Sequence, residues 1–145
     1  MKVSYASSNK KVATVSSNGT VSVKGTGIAT ITVTASGSNY NTVTKKITIK
    51  VAPKKQSVKA KTAKKKLTIT WTKDSNATGY QVQIATKKNL KGAKTYTVKS
   101  YKTYKKTISK LKSKKKYYVR VRSYKTVGKT KLYGAYSTVK SYKVK

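Results

Sequence analysis

The chain has 145 residues, enough for one ordinary domain or two small ones, and sets 36 lysines and arginines against a single acid, Asp74, for a formal net charge of +35. It has no cysteine and no histidine, which excludes disulfides, Cys/His zinc sites and histidine proton transfer. A lone carboxylate likewise excludes paired-acid catalysis and calcium cages built from side-chain carboxylates.

Valine, isoleucine, threonine and tyrosine dominate the non-lysine residues, a mixture that suits half-buried pleated surfaces better than helices. Residues 1–51 read as short strands broken by turns. Val12 and Val15 precede Ser16-Ser17-Asn18-Gly19, and Asn-Gly between apolar runs predicts a hairpin because both residues tolerate positive φ. Thr20 to Lys24 alternates after it. Gly25-Thr26-Gly27 predicts a second turn, and Ala29, Ile31, Val33 and Ala35 alternate with threonines as a half-buried strand. Ser36 to Asn39 predicts another turn, with Tyr40 as an anchor of that loop; Ile47, Ile49 and Val51 mark a last strand. The sequence begins without a signal peptide and has no apolar run long enough for a transmembrane helix, so any export signal is expected outside it.

Residues 52–56, with the only proline, predict a linker. Charge density changes there: residues 1–51 carry seven lysines and no acid, whereas 54–145 carry the other 29 cations and Asp74. From Ser57 onward, alternation places Leu67, Ile69 and Trp71 inward on one strand and Tyr80, Val82 and Ile84 inward on the next. Thr95 to Val98, Tyr104 to Leu111 and Leu132 to Val144 supply further strands. Seven such pieces, with turns every eight to twelve residues, read as a small sandwich.

Lys116 to Tyr124 is the most regular strand. Tyr117, Val119, Val121 and Ser123 fall on its inward face, and Tyr118, Arg120, Arg122 and Tyr124 on its outward face. Arg120 and Arg122 are the only arginines. Aromatics interleaved with cations on a strand can hold single-stranded nucleic acid, but they also serve as ordinary cross-strand support. With the turn lysines Lys114, Lys115 and Lys116, this row is the candidate polyanion-binding surface. Lysine is otherwise dispersed over nearly every exposed position, which points to non-specific adhesion rather than a shaped groove. Asp74, in a polar loop beside Ser75 and Asn76, is expected to bond its own backbone. No catalytic, cofactor-binding or metal-binding residue is expected.

Two resemblances organise these pieces. Ser7-Ser8-Asn9, Val12-Ala13-Thr14-Val15, Asn18-Gly19-Thr20-Val21 and Gly25 to Val33 resemble the bacterial Ig-like group 2 domain, entered close to its "SSN" segment, so that the first module is expected to be incomplete. Trp71, Gly79-Tyr80-Gln81-Val82, Leu111 to Tyr117 and Tyr133-Gly134-Ala135-Tyr136-Ser137 resemble the fibronectin type III domain over nearly all of 57–145, without its Arg-Gly-Asp motif. The resemblance implies an all-β chain of two tandem Ig-like β-sandwich modules, 1–51 and 57–145. It implies a core role for Trp71 and a tyrosine corner at Tyr117. It further implies a non-enzymatic, extracellular spacer or adhesion segment of a Gram-positive surface protein. The charge adds partners: an anionic cell-wall polymer, an acidic glycan or nucleic acid, held electrostatically. A homo-oligomer is the alternative, with a strand such as Val139 to Val144 of another copy completing the first module.

Overall fold

The computed structural model describes residues 1–145 and contains β-strands and no helix. Strands β1 (Lys2–Ser7), β4 (Gly27–Gly37) and β5 (Tyr40–Val51) form an antiparallel sheet in the order β1-β4-β5. Strands β2 (Ala13–Val15) and β3 (Val21–Val23) pair as a separate hairpin across the Asn18-Gly19 turn, where Gly19 takes φ +85°. The hairpin covers one end of the sheet. Val12, Ala13 and Ala29 are buried there, with Ile49 and Val51 packed against them. Further along the same face the sheet is open: Val43 is 65% and Ile47 48% exposed. The first unit is thus an incomplete sandwich.

Gly19 also makes room for Tyr5, since a Cβ there would lie 2.9 Å from the ring. Gly19→Ala is expected to cost the first unit about 1 kcal/mol or more, through left-handed strain and displacement of Tyr5. Chemical denaturation of the full chain should show an earlier loss of the first unit with the second unchanged.

The second unit contains β6 (Val58–Ala63), β7 (Lys66–Trp71), β8 (Gly79–Ala85), β9 (Lys94–Val98), β10 (Lys105–Ile108), β11 (Lys116–Val127), β12 (Thr130–Tyr133) and β13 (Lys140–Lys143). One sheet runs β10-β7-β6; the other runs β12-β11-β8-β9, with β13 also on β11. The inward residues of β7, β8 and β11 are buried as their alternation requires, and they meet Val58, Ile108 and Val144 in one core. Trp71 lies in that core, its ring 5.3 Å from Tyr80 at 59°. The segment between the two units is docked rather than free. Pro53 and Gln56 are buried, and Lys54 O accepts hydrogen bonds from Ser123 Oγ at 2.9 Å and Gln56 Nε2 at 2.8 Å.

Four expectations change. β1, pairing the far half of β4, is a strand that local pattern did not mark. Tyr40 anchors nothing: it starts β5 and is 78% exposed. Leu132 to Val144 is two strands, because residues 134–139 cross β11 as an irregular segment. Tyr124 does not face solvent; it is 4% exposed. Its register partner is Gly79, where a Cβ would come within 2.8 Å of the Tyr124 hydroxyl, so the missing side chain gives the ring its place.

Candidate functional site

The outward row of β11 is built by three segments. On one side β8 lies in register, Gln83 opposite Arg120 and Gln81 opposite Arg122. On the other side the irregular segment 134–139 crosses the middle of β11. Ser137 fixes it: its amide donates to Val121 O at 2.7 Å, and its hydroxyl accepts from Val121 N at 2.9 Å. Gly134 allows the close approach, since a Cβ there would sit 2.6 Å from Pro53 O.

The end of β12 and this segment, which follows the same edge of β11, bring Tyr133 and Tyr136 over the two arginines. The Arg122 guanidinium lies 3.9 Å from the Tyr133 ring centroid and 4.5 Å from that of Tyr136; Arg120 lies 3.9 Å from Tyr136. The result is a ladder, Tyr133–Arg122–Tyr136–Arg120. Each arginine is also held at one edge. Arg120 Nε donates to Gln83 Oε1 at 2.8 Å, and Arg122 Nε donates to Gln81 Oε1 at 2.9 Å. A planar guanidinium can stack and hydrogen-bond at once, which an ammonium cannot. That accounts for arginine at these two positions in a lysine-rich chain.

Of the residues marked from sequence, Lys116, Tyr118, Arg120 and Arg122 share this outward row; Tyr124 ends it as a buried ring, 6.2 Å from that of Tyr133. Lys114 and Lys115 lie in the preceding turn, held by Lys114 N donating to Val144 O and Val144 N donating to Lys115 O. Lys114 takes φ +60°, a left-handed conformation that costs a β-carbon residue about 1 kcal/mol relative to glycine. Lys114→Gly is therefore expected to stabilise the second unit by about 0.5–1 kcal/mol, read as a higher urea midpoint at unchanged slope. Tyr117 closes the same corner: its hydroxyl accepts from Lys112 N at 3.0 Å. Tyr117→Phe is expected to cost about 1 kcal/mol by the same measurement.

Four partners of the row went unmarked in the sequence. Gln81 and Gln83 carried a usable signal, being the outward positions of an alternating strand. Tyr133 and Tyr136 stood in the Tyr133-Gly134-Ala135-Tyr136-Ser137 resemblance, but nothing local set them opposite the arginines: Tyr133 ends β12 and Tyr136 lies in the irregular segment that follows.

The lone acid lies elsewhere. Asp74 is 7% exposed; its Oδ1 accepts from Asn76 N at 3.0 Å, and its Oδ2 is buried without a partner. The backbone bond is the one expected of a loop aspartate. The same loop is pinned by Tyr80, whose hydroxyl accepts from Asp74 N at 2.8 Å and donates to Tyr101 O at 3.1 Å. Burial raises the Tyr80 phenol above its ordinary value, and burial likewise raises Tyr124. With no carboxylate at the surface, cations use tyrosine faces instead. Lys73 lies 4.6 Å over Tyr104, and Lys94 and Lys106 lie 5.2 and 5.4 Å over Tyr96. No helix is long and apolar enough to cross a membrane.

Comparison with known proteins places both halves. The profile of the fibronectin type III domain matches residues 51–140, and that of the intimin immunoglobulin-like domain matches residues 2–37. The Ig-like reading of the first stretch is thereby supported, under the intimin description. Among curated proteins nothing matches. Of solved structures, a two fibronectin type III domain segment from chicken tenascin superposes with TM-score 0.65 at 14% identity, covering 98% of this chain and 82% of that one. The FN1–FN3 domains of chicken CNTN1 superpose with TM-score 0.55 at 20% identity, covering 86% of this chain. The chain spans 44% of that CNTN1 fragment. At these identities the likeness is one of fold.

Proposed function

The chain belongs to the fibronectin type III family through residues 51–140, and from that premise we propose that it is a non-enzymatic structural and adhesive segment of an extracellular, bacterial surface protein. Its units divide at residues 52–56. Units of this kind space and display; the charge gives this one its adhesion. The observation that carries the reading is that 36 cations are spread over the surface while the one side-chain acid, Asp74, is buried. Anionic cell-wall polymer, acidic glycan and nucleic acid are its electrostatic partners, bound by release of their counterions. The test is retention of the full chain on immobilised heparin and on DNA. Elution from both within the same narrow range of salt supports the reading. Retention on DNA with sequence preference at high salt overturns it.

A second reading has its own observation. The open face of the β1-β4-β5 sheet leaves Val43 and Ile47 uncovered, and β5 is an edge strand twelve residues long. A strand from another copy, laid on this face, would make a homo-oligomer. Lys45, Lys46 and Lys50 on β5 oppose that pairing when unscreened. Light scattering across a salt series decides: mass growth with salt favours strand exchange, and a monomer at every salt removes it.

A further inference from the structure

We propose that Arg120 and Arg122 form a discrete site for the acidic groups of a polysaccharide, distinct from the diffuse attraction of the lysines. The inference rests on the polyanion reading above and adds a place and a ligand class to it.

Each guanidinium is fixed before any ligand arrives. Its Nε is tied to a glutamine oxygen, and its plane is stacked on tyrosine. The Nη atoms make no hydrogen bond within the chain. They are not among the buried polar atoms without partners, which are Trp71 Nε1 and Asp74 Oδ2, so they reach solvent. Two forks of N–H donors are thus presented with little rotational freedom left to lose. That geometry suits bidentate capture of carboxylate or sulfate oxygens. The two forks belong to alternate residues of one strand, about 6.8 Å apart, and Lys116 continues the same row. No acid competes: Asp74 is buried in another loop.

The same stacking selects among polyanions. A single-stranded nucleic acid gains affinity on a sheet by laying bases on aromatic faces. Here Tyr136 lies between both arginines and Tyr133 is covered by Arg122. At the two arginines those faces are taken, and only Tyr118, further along the row, carries no cation, so what the arginine pair itself offers is oxyanion recognition without base stacking. An acidic polysaccharide fits that offer better than nucleic acid does.

The test uses the full chain, heparin and a thymidine oligonucleotide as probes, at a salt concentration where wild-type binding is partial. Arg120→Lys with Arg122→Lys keeps the net charge but removes both forks. It is expected to weaken heparin about tenfold, the worth of losing charge-assisted bidentate bonds. Lys45→Gln with Lys46→Gln removes two charges from the first unit and is expected to weaken heparin less. If the arginine pair loses no more than the lysine pair, the site is overturned while the diffuse reading stands. A thymidine oligonucleotide preferred over heparin at the arginine row overturns the ligand class. No heparin binding by wild type even at low salt overturns both the reading and the site. Because the double variant removes packing as well, the wild type is also titrated with heparin and followed by the arginine Nε–Hε NMR signals. Selective shifts of those two signals support the site; silence there, with lysine signals moving, overturns it.

Discussion

Trp71→Ala is expected to cost the second unit about 3–5 kcal/mol, the largest effect of any single substitution considered for this chain. Trp71 ends β7 with its ring buried against Tyr80. Its removal opens a cavity that the surrounding strands cannot close, because β7 is held on both edges by β6 and β10. The loss spreads through Tyr80. That side chain is fully buried, and its hydroxyl joins the Asp74 loop to Tyr101. A Tyr80 released from the tryptophan ring holds both loops less well. Trp71→Phe should lose far less: it keeps an aromatic ring and deletes Nε1, a buried donor with no partner. Urea denaturation followed by far-ultraviolet circular dichroism measures both. A loss under about 1 kcal/mol for Trp71→Ala would show that the ring is not the keystone of this core.

How much of this was legible in the sequence depends on the range over which each feature is decided. The inward faces of β7, β8 and β11 are set by strict alternation, and burial follows parity from Leu67 to Trp71 and from Tyr117 to Ser123. The Asn18-Gly19 hairpin and the Tyr117 corner are equally local, each closed within a few residues. The failures are non-local. Tyr124 has the parity of Arg122, yet the gap opposite it at Gly79 and the cover of β12 bury it. Lys2–Ser7 offers only Val3 and Tyr5, alternating with serines, as a short strand signal; its partner is the far half of β4, some thirty residues on. The arginines stand out from sequence alone, but their function in the fold rests on Tyr133, at the end of β12, and Tyr136, in the irregular segment after it. The candidate row was therefore half visible: its cations could be marked, and their clamps could not.

Raising sodium chloride from about 10 mM to about 1 M is expected to raise the melting temperature of the second unit by at least about 5 °C, the shift that roughly 1 kcal/mol produces in a unit of about 90 residues. Charge spacing sets the magnitude. The 36 cations share 9737 Å² of surface, about 270 Å² each, so neighbours stand about 16 Å apart. At 10 mM the screening length is about 30 Å and each cation feels several others; at 1 M it is about 3 Å and it feels none. Tyrosine faces ease this repulsion locally but carry no net charge to cancel it. A second axis separates the charge from the core. Tyr80 and Tyr124 give the core its own dependence on pH. Burial raises both phenols in the folded chain, so the unfolded chain ionises first. Their contribution is complete below the unfolded value near 10 and is lost as pH climbs through the folded one. At 1 M salt, with repulsion already screened, stability should fall as pH climbs through that range. Tyr80→Phe removes part of that fall along with the two hydrogen bonds of the hydroxyl. Thermal melts over pH at the two salt concentrations read the sign directly. A melting temperature that does not rise with salt would mean that self-repulsion does not govern the stability of this chain, and stability that holds through that pH range would mean that the two buried phenols do not contribute to it.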